Sequence, residues 1–306
     1  LDTTVDNNML NKQGQADINP DGSITLPNGG TTKPGEKAPE VNVPNGGTVK
    51  PDGTVETPNG QTVKPNNNGT ITLPGADGDI NKDQDNPTVT PKPDATQKPT
   101  ITPEGGVTLP EGGTVTTPGA DGKPVTVPNG STVNPDGTVT VPGPNTVTGE
   151  DVTVKPNGDG SVTVPGPDKD PNNGNDNVIV KPNDKGDQPT INPDGTVTVP
   201  NGGTVKPGNG EPVTVPNGST VNPDGTVTTP GADGKPGTTV KPNPDGTITL
   251  PGADGDINKD QDNPTVTPNP DATQKPTINP DGSVTLPEGG TVKPGNGEPV
   301  TVPNGS

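Results

Sequence analysis

The sequence predicts an all-β protein, an elongated repeat array drawn as a β-solenoid of short arms with Pro/Gly corners. An extended polyproline-like or disordered stalk is the alternative. Three observations lead there: Val and Thr alternate at period two, a turn signature returns every nine or ten residues, and long blocks of the chain recur almost unchanged.

The arm is the first element. In Thr138-Val139-Thr140-Val141 both valines fall on one side and both threonines on the other, the pattern of a half-buried strand. Val and Thr are β-branched and fit a pleated surface. A proline every few residues forbids a helix.

Two turn types join the arms. Asn134-Pro135-Asp136-Gly137 sets φ near −65° with Pro and supplies positive φ with Gly, the chemistry of a type I turn closed by a Gly bulge. It returns at 19–22, 192–195, 222–225 and 279–282. The second, Pro-Asn-Gly-Gly/Ser, starts at Pro27, Pro44, Pro128, Pro200, Pro216 and Pro303, where Pro ends the strand because it has no N–H for the ladder.

The repetition is the third element. Residues 69–115 recur as 246–292, an offset of 177, with changes only at Lys92/Asn269, Thr102/Asn279, Glu104/Asp281 and Gly106/Ser283. Residues 124–140 recur as 212–228, and 202–219 as 289–306. Faithful tandem copies select for length more readily than for one unique site. Wound as a solenoid, the arms place Val139, Val141 and Val205 inside, with Thr and Lys outside. Two arms per coil give about 18–20 residues per turn, and roughly 15 coils span on the order of 70 Å. The array occupies 18–306 after a non-repeat lead-in at 1–17, with acidic or Pro-rich inserts near 75–99, 166–189 and 252–276. Residues 86–99 read as an extended spacer. The chain starts at Leu1 without Met and ends within a repeat, as an interior piece of a longer protein would.

Composition bears on function mainly through absences. The chain has no His, Cys, Trp, Tyr, Phe or Arg, which supply most nucleophiles, proton shuttles, stacking surfaces and phosphate clamps. A carboxylate pair would need a shaped, partly dry pocket, and only 20% of the chain is hydrophobic. The expectation is that the protein is not an enzyme and has no small-molecule substrate. Gly 46 and Pro 47 in 306 residues indicate low complexity. A net charge of −19 argues against nucleic acid, and no apolar run is long enough for a membrane span.

The candidate metal site lies in the acidic inserts: Asp77, Asp79, Asn81, Asp83 and Asp85, repeated as Asp254, Asp256, Asn258, Asp260 and Asp262. Oxygen ligands at alternate positions are what Ca2+ loops use. An EF-hand needs Gly where Lys82 stands and a bidentate Glu where Thr88 stands, so any Ca2+ binding is expected to be weak. The alternative is a solvated acidic loop, and no other cofactor is expected. A third insert runs over 168–177. Outward Thr-x-Thr pairs (Thr138/Thr140, Thr196/Thr198, Thr226/Thr228) resemble the threonine ladders of ice-binding solenoids, although arms carrying Lys50, Lys64, Lys206 and Lys293 interrupt them. Leu109-Pro-Glu-Gly-Gly113 resembles a sortase signal without its Thr and reads as a strand end. The sequons at Asn68, Asn129 and Asn217 read as turns.

The run Pro44-Asn-Gly-Gly-Thr-Val-Lys-Pro-Asp-Gly-Thr-Val55 resembles the stalk or repeat regions of Gram-positive bacterial cell-surface proteins. That resemblance implies an extracellular protein of the cell surface or extracellular matrix. The function expected is therefore a structural repeat region, a stalk or a fibre-forming element, whose one expected partner is another copy of itself. The alternative is a binding module: a Ca2+-rigidified adhesin segment or an ice-binding β-solenoid.

Overall fold

A computed structural model describes residues 16–82, 84–119, 122–142, 151–184, 187–235, 237–259 and 261–306. Its regular structure is all strand, in short arms of two to five residues. Arms such as Val139–Val141, Val197–Val199 and Val213–Val215 bury both valines and leave the threonine between them half-covered. Val139, Val141 and Val205 are all in the core, as the alternation predicts. Among the described residues no helix is long and apolar enough to cross a membrane.

The chain divides into two compact units, Leu1–Asp151 with Pro156–Asp159, and Val152–Lys155 with Gly160–Ser306. Each unit contains two ladders. In the first, one ladder runs in spatial order Asp17–Ile18, Ile24–Leu26, Gly47–Val49, Val55–Glu56, Thr62–Pro65, Ile71–Thr72, Thr88–Pro91, Gly113–Thr116, Pro124–Val127. The other runs Gly30–Thr32, Val41–Val43, Thr100–Ile101, Val107–Leu109, Ser131–Val133, Val139–Val141. The second unit repeats the long ladder from Thr190–Ile191 to Val300–Val302. Its shorter ladder runs from Val162–Val164 through Val178–Pro182, Gly203–Pro207 and Val213–Val215 to Thr277–Ile278 and Val284–Thr285.

The two turn types divide the work. Asn-Pro-Asp-Gly closes a hairpin: Gly137 N–H donates to Asn134 O at 2.9 Å, and Asn134 N–H to Thr138 O at 2.8 Å. Pro-Asn-Gly-Gly instead carries the chain from one ladder to the other, as between Val41–Val43 and Gly47–Val49. Its glycine N–H caps a strand end in the opposite ladder, Gly46 to Leu26 O and Gly218 to Val199 O.

The pairing shows the all-β class and does not confirm the expected coil-on-coil winding. No closed barrel or solenoid forms among the described residues, and the arms pair antiparallel because a type I turn with a Gly bulge returns the chain beside itself. Two within-unit joints are parallel, Thr100 beside Asn42 and Thr277 beside Thr214.

The spacer reading of 86–99 is corrected. Thr88–Pro91 is a strand paired on both sides, with Val89 between Ile71 and Val115. Thr-Val-Thr-Pro keeps the period-two alternation, and its proline lies at the strand's end, so the segment's Pro content does not prevent pairing.

Candidate functional site

The acidic inserts fold as three copies of one closed loop. The chain enters at a glycine with positive φ (Gly75, +78°; Gly166, +76°; Gly252, +75°). A Cβ there would lie 2.4, 2.2 and 2.5 Å from the carbonyl oxygens of Asp85, Asp176 and Asp262, so the loop closes by backbone approach. Asp85 Oδ2 then accepts the Asp77 N–H at 3.1 Å, as Asp176 does for Asp168 and Asp262 for Asp254. Inside the loop, Asp77 Oδ1 accepts the Asp79 N–H at 2.9 Å and Asp79 Oδ1 the Asn81 N–H at 3.0 Å. Asp254 and Asp256 do the same for Asp256 and Asn258. Asn86 and Asn263, both buried, donate across to Ile80 O and Ile257 O at 2.9 Å. Lys82 lies 3.9 Å from Asp79, and Lys259 3.8 Å from Asp256.

The structure thus brings Asp77, Asp79, Asn81 and Asp85 into one loop, and Asp254, Asp256, Asn258 and Asp262 into another. Asp83 and Asp260 lie outside the described residues. Among the described residues no three acidic side chains stand close enough together to hold a metal ion. The carboxylates bond the loop's own amides instead.

Comparison with the twelve-residue EF-hand conceals the pattern the loops share. Set in register on Asp77, Asp168 and Asp254, all three inserts read Asp-x-Asp-x-Asn-x-x-x-Asp-Asn. The ninth residue closes the loop and the tenth crosses it. Asn86, Asn177 and Asn263 are the residues that sequence reasoning missed, and an ungapped alignment of the inserts would have found them. Among the described residues of these loops, four oxygens are buried and accept no hydrogen bond: Asp85 Oδ1, Asn86 Oδ1, Asp176 Oδ1 and Asn263 Oδ1.

The threonine face is corrected too. Thr138, Thr196 and Thr226 are buried rather than outward. Each hydroxyl donates to the turn aspartate (Asp136, Asp194, Asp224) and accepts from the turn asparagine (Asn134, Asn192, Asn222). The same asparagine reaches the next threonine, as Asn222 reaches Thr228 at 3.1 Å, and Thr228 meets Thr239 across the strands at 3.1 Å. These hydroxyls are committed to the fold. The sortase-like run is a strand end, with Gly112 N–H turned back onto Leu109 O.

Turn hydrogen bonds also set acidity. The Ser23 hydroxyl holds the Asp21 carboxyl below its ordinary value of 3.8, the Thr247 hydroxyl does so for Asp245, and the Ser283 hydroxyl for Asp281. The Thr54 N–H lowers Asp52, and the Asp170 N–H lowers Asp168. A lowered folded pKa gives stability that is present above the unfolded value and lost as pH falls through the folded one. Acidification also relieves the repulsion of a −19 chain, so a global melting curve mixes the two effects. Carboxyl titration by NMR separates them. Asp21, Asp245 and Asp281 are expected to titrate below 3.8, with amide protection of the same turns lost in step. Titration at or above that value would mean the clamp does not form in solution.

No protein-family model matches the chain, and neither a curated protein nor a solved structure matches it.

Proposed function

We propose that the chain is the structural repeat region of an extracellular surface or matrix protein, acting as a stalk or fibre-forming element. One observation carries the reading: in each unit the shorter ladder is completed by a strand from farther along the chain. The Asn42 N–H donates to Pro99 O at 2.9 Å, and the Thr214 N–H to Pro276 O at 3.0 Å. Added repeats are thereby coupled to those before them, as in arrays whose stability sums over nearest neighbours. The resemblance of residues 44–55 to Gram-positive stalk repeats supports the extracellular placement, and the near-identical copies support selection for length. Hydrogen exchange with small-angle scattering tests the proposal. Slow exchange at the Asn42 and Thr214 amides with rod-like scattering is expected. Free-peptide exchange along the arms would reject it.

A second reading applies to the acidic loops, where the buried, unpartnered oxygens favour a weakly held Ca2+. The carboxylates of Asp77, Asp79 and Asp85 would have to turn from the loop amides they now accept and gather with Asn81 around the ion, as would their equivalents in the other loops, and the ion would neutralise repulsion among them. Millimolar Ca2+ is then expected to raise the melting temperature by a few degrees and to slow exchange at Asp79 and Asn81. Asp85→Asn with Asp176→Asn and Asp262→Asn should abolish both effects. An equal response to Mg2+ would reduce them to charge screening.

A further inference from the structure

Only one peptide bond in the chain joins an aspartate to a following proline, Asp170–Pro171, and it lies inside the second acidic loop. In the register set by Asp77, Asp168 and Asp254, Pro171 stands where the other two loops carry Ile80 and Ile257. Lys169 stands where they carry Gly78 and Gly255. The backbone is left-handed at all three positions, with φ of +71° at Gly78, +72° at Gly255 and +65° at Lys169. A residue with a side chain is strained in that conformation. The second loop thus departs from its copies on both sides of Asp170.

An Asp-Pro bond has chemistry of its own. The aspartate carboxylate reaches its own main-chain carbonyl through a five-membered ring. The proline nitrogen belongs to a tertiary amide without an N–H and leaves readily once protonated. The loop holds both groups in place. Asp170 Oδ1 accepts the Asn172 N–H at 2.9 Å, closing a ring of atoms that contains the Asp170 carbonyl carbon and the Pro171 nitrogen. The Asp170 carbonyl oxygen accepts the Asn173 N–H at 3.2 Å, a donor placed where negative charge would develop on that oxygen. The Asp170 N–H donates to Asp168 Oδ1 at 2.9 Å, and Asn177 Nδ2 to Pro171 O at 3.1 Å, so the chain is tied on each side of the bond. Asp170 is exposed to water, whereas Pro171 is buried.

We propose that the second acidic loop is a self-cleaving site that hydrolyses its own Asp170–Pro171 bond. A carboxylate oxygen of Asp170 bonds to the Asp170 main-chain carbonyl carbon, and the Pro171 nitrogen takes a proton from solvent as the C–N bond breaks. Water then opens the cyclic anhydride left on Asp170. One water is consumed: Asp170 ends with two carboxylates and Pro171 with a protonated amine, and opening the anhydride returns the protons that the amine takes up. The cut also frees Lys169 from its left-handed conformation. It falls between Val162–Val164 and Val178–Pro182, which pair with each other, and the second of these pairs again with Gly203–Pro207. The ladder therefore holds the two pieces together after scission. The site does not depend on the structural role proposed above.

Intact-mass spectrometry of the full chain, held in one mildly acidic buffer with and without urea, tests the proposal. The folded chain should divide into 1–170 and 171–306 at least about tenfold faster than the unfolded chain, because the loop holds the carboxylate in place. The two pieces should elute together in native size exclusion and separate in urea. Pro171→Ile, which copies the other loops, should stop the cut. Asp170→Glu keeps the charge but needs a six-membered ring, and should slow the cut at least about tenfold. Hydrogen exchange at the Asn172 and Asn173 amides reports whether the loop is formed in each sample. The proposal is overturned if the folded chain stays whole, or if the Pro171→Ile chain is cut as fast. Free-peptide exchange at those two amides in the folded chain would overturn it as well. Equal rates with and without urea would leave only the acid lability of any Asp-Pro bond, with no contribution from the loop.

Discussion

Gly203→Ala is expected to destabilise the second unit by about 3 kcal/mol, the upper range for forcing an atom into a packed site. Gly203 sits in the middle of three strands, opposite Pro182 on one side and Val215 on the other. A Cβ there would lie 2.0 Å from Lys181 O and 2.9 Å from Pro182 Cα. Both neighbours are backbone, so no rotamer change can relieve the clash and the ladder itself must shift. Gly113 and Gly290 stand in the same relation to Thr90 O and Thr267 O, at 2.1 Å each. Gly246→Ala is the control: its φ is +89°, with nothing within 4 Å of a Cβ. It carries only the strain of a left-handed conformation, roughly 1–2 kcal/mol. Urea titration followed by circular dichroism, with exchange at the Val205 amide as the local readout, compares the two. Equal losses would show that the close approach at Gly203 does not exist.

The arms and hairpins were legible because their signals are local. Period-two alternation sorts Val197 from Thr198 without reference to the rest of the chain, and Asn-Pro-Asp-Gly carries its own dihedral preferences. What the turns do globally was not legible. Both turn types reverse or bend a strand, and only the pairing shows that Pro44–Gly47 changes ladder while Asn134–Gly137 stays within one. A solenoid and an antiparallel array use the same alternation, so burial of Val139 and Val141 could not separate them. The buried threonines escaped for a related reason. Thr138 occupies an outward position of an ideal strand, but it directly follows the turn, where Asn134 and Asp136 enclose its hydroxyl. In the acidic inserts the shared spacing was visible in the sequence, but the roles of its ninth and tenth residues were not. Closure by Asp85 depends on the backbone approach at Gly75, a tertiary fact.

The parallel joint supplies the second large effect, since three equivalent isoleucines should respond differently to one substitution. Ile101→Ala should cost the first unit about 3 kcal/mol, within the range for truncating a buried Ile. Ile101 is 0% exposed, packed where Thr100–Ile101 meets Val41–Val43. Around it, Asn42 Nδ2 bonds Thr100 Oγ1 at 3.0 Å, and the Asn42 N–H bonds Pro99 O. A cavity there loosens the strand that makes those bonds. The loss should therefore appear first as faster exchange at the Asn42 amide, before the hairpins on either side open. Ile278→Ala should act likewise in the second unit, through the Thr214 amide. Ile18→Ala in dilute solution should cost almost nothing, because that side chain is already in water. The substitution is the same and each isoleucine opens a hairpin, so the burial of its side chain is the variable compared. If Ile18→Ala destabilised a dilute monomer as much as Ile101→Ala, stability would reside in the hairpins alone. The coupling between successive repeats, on which the proposed structural role depends, would then have no physical basis.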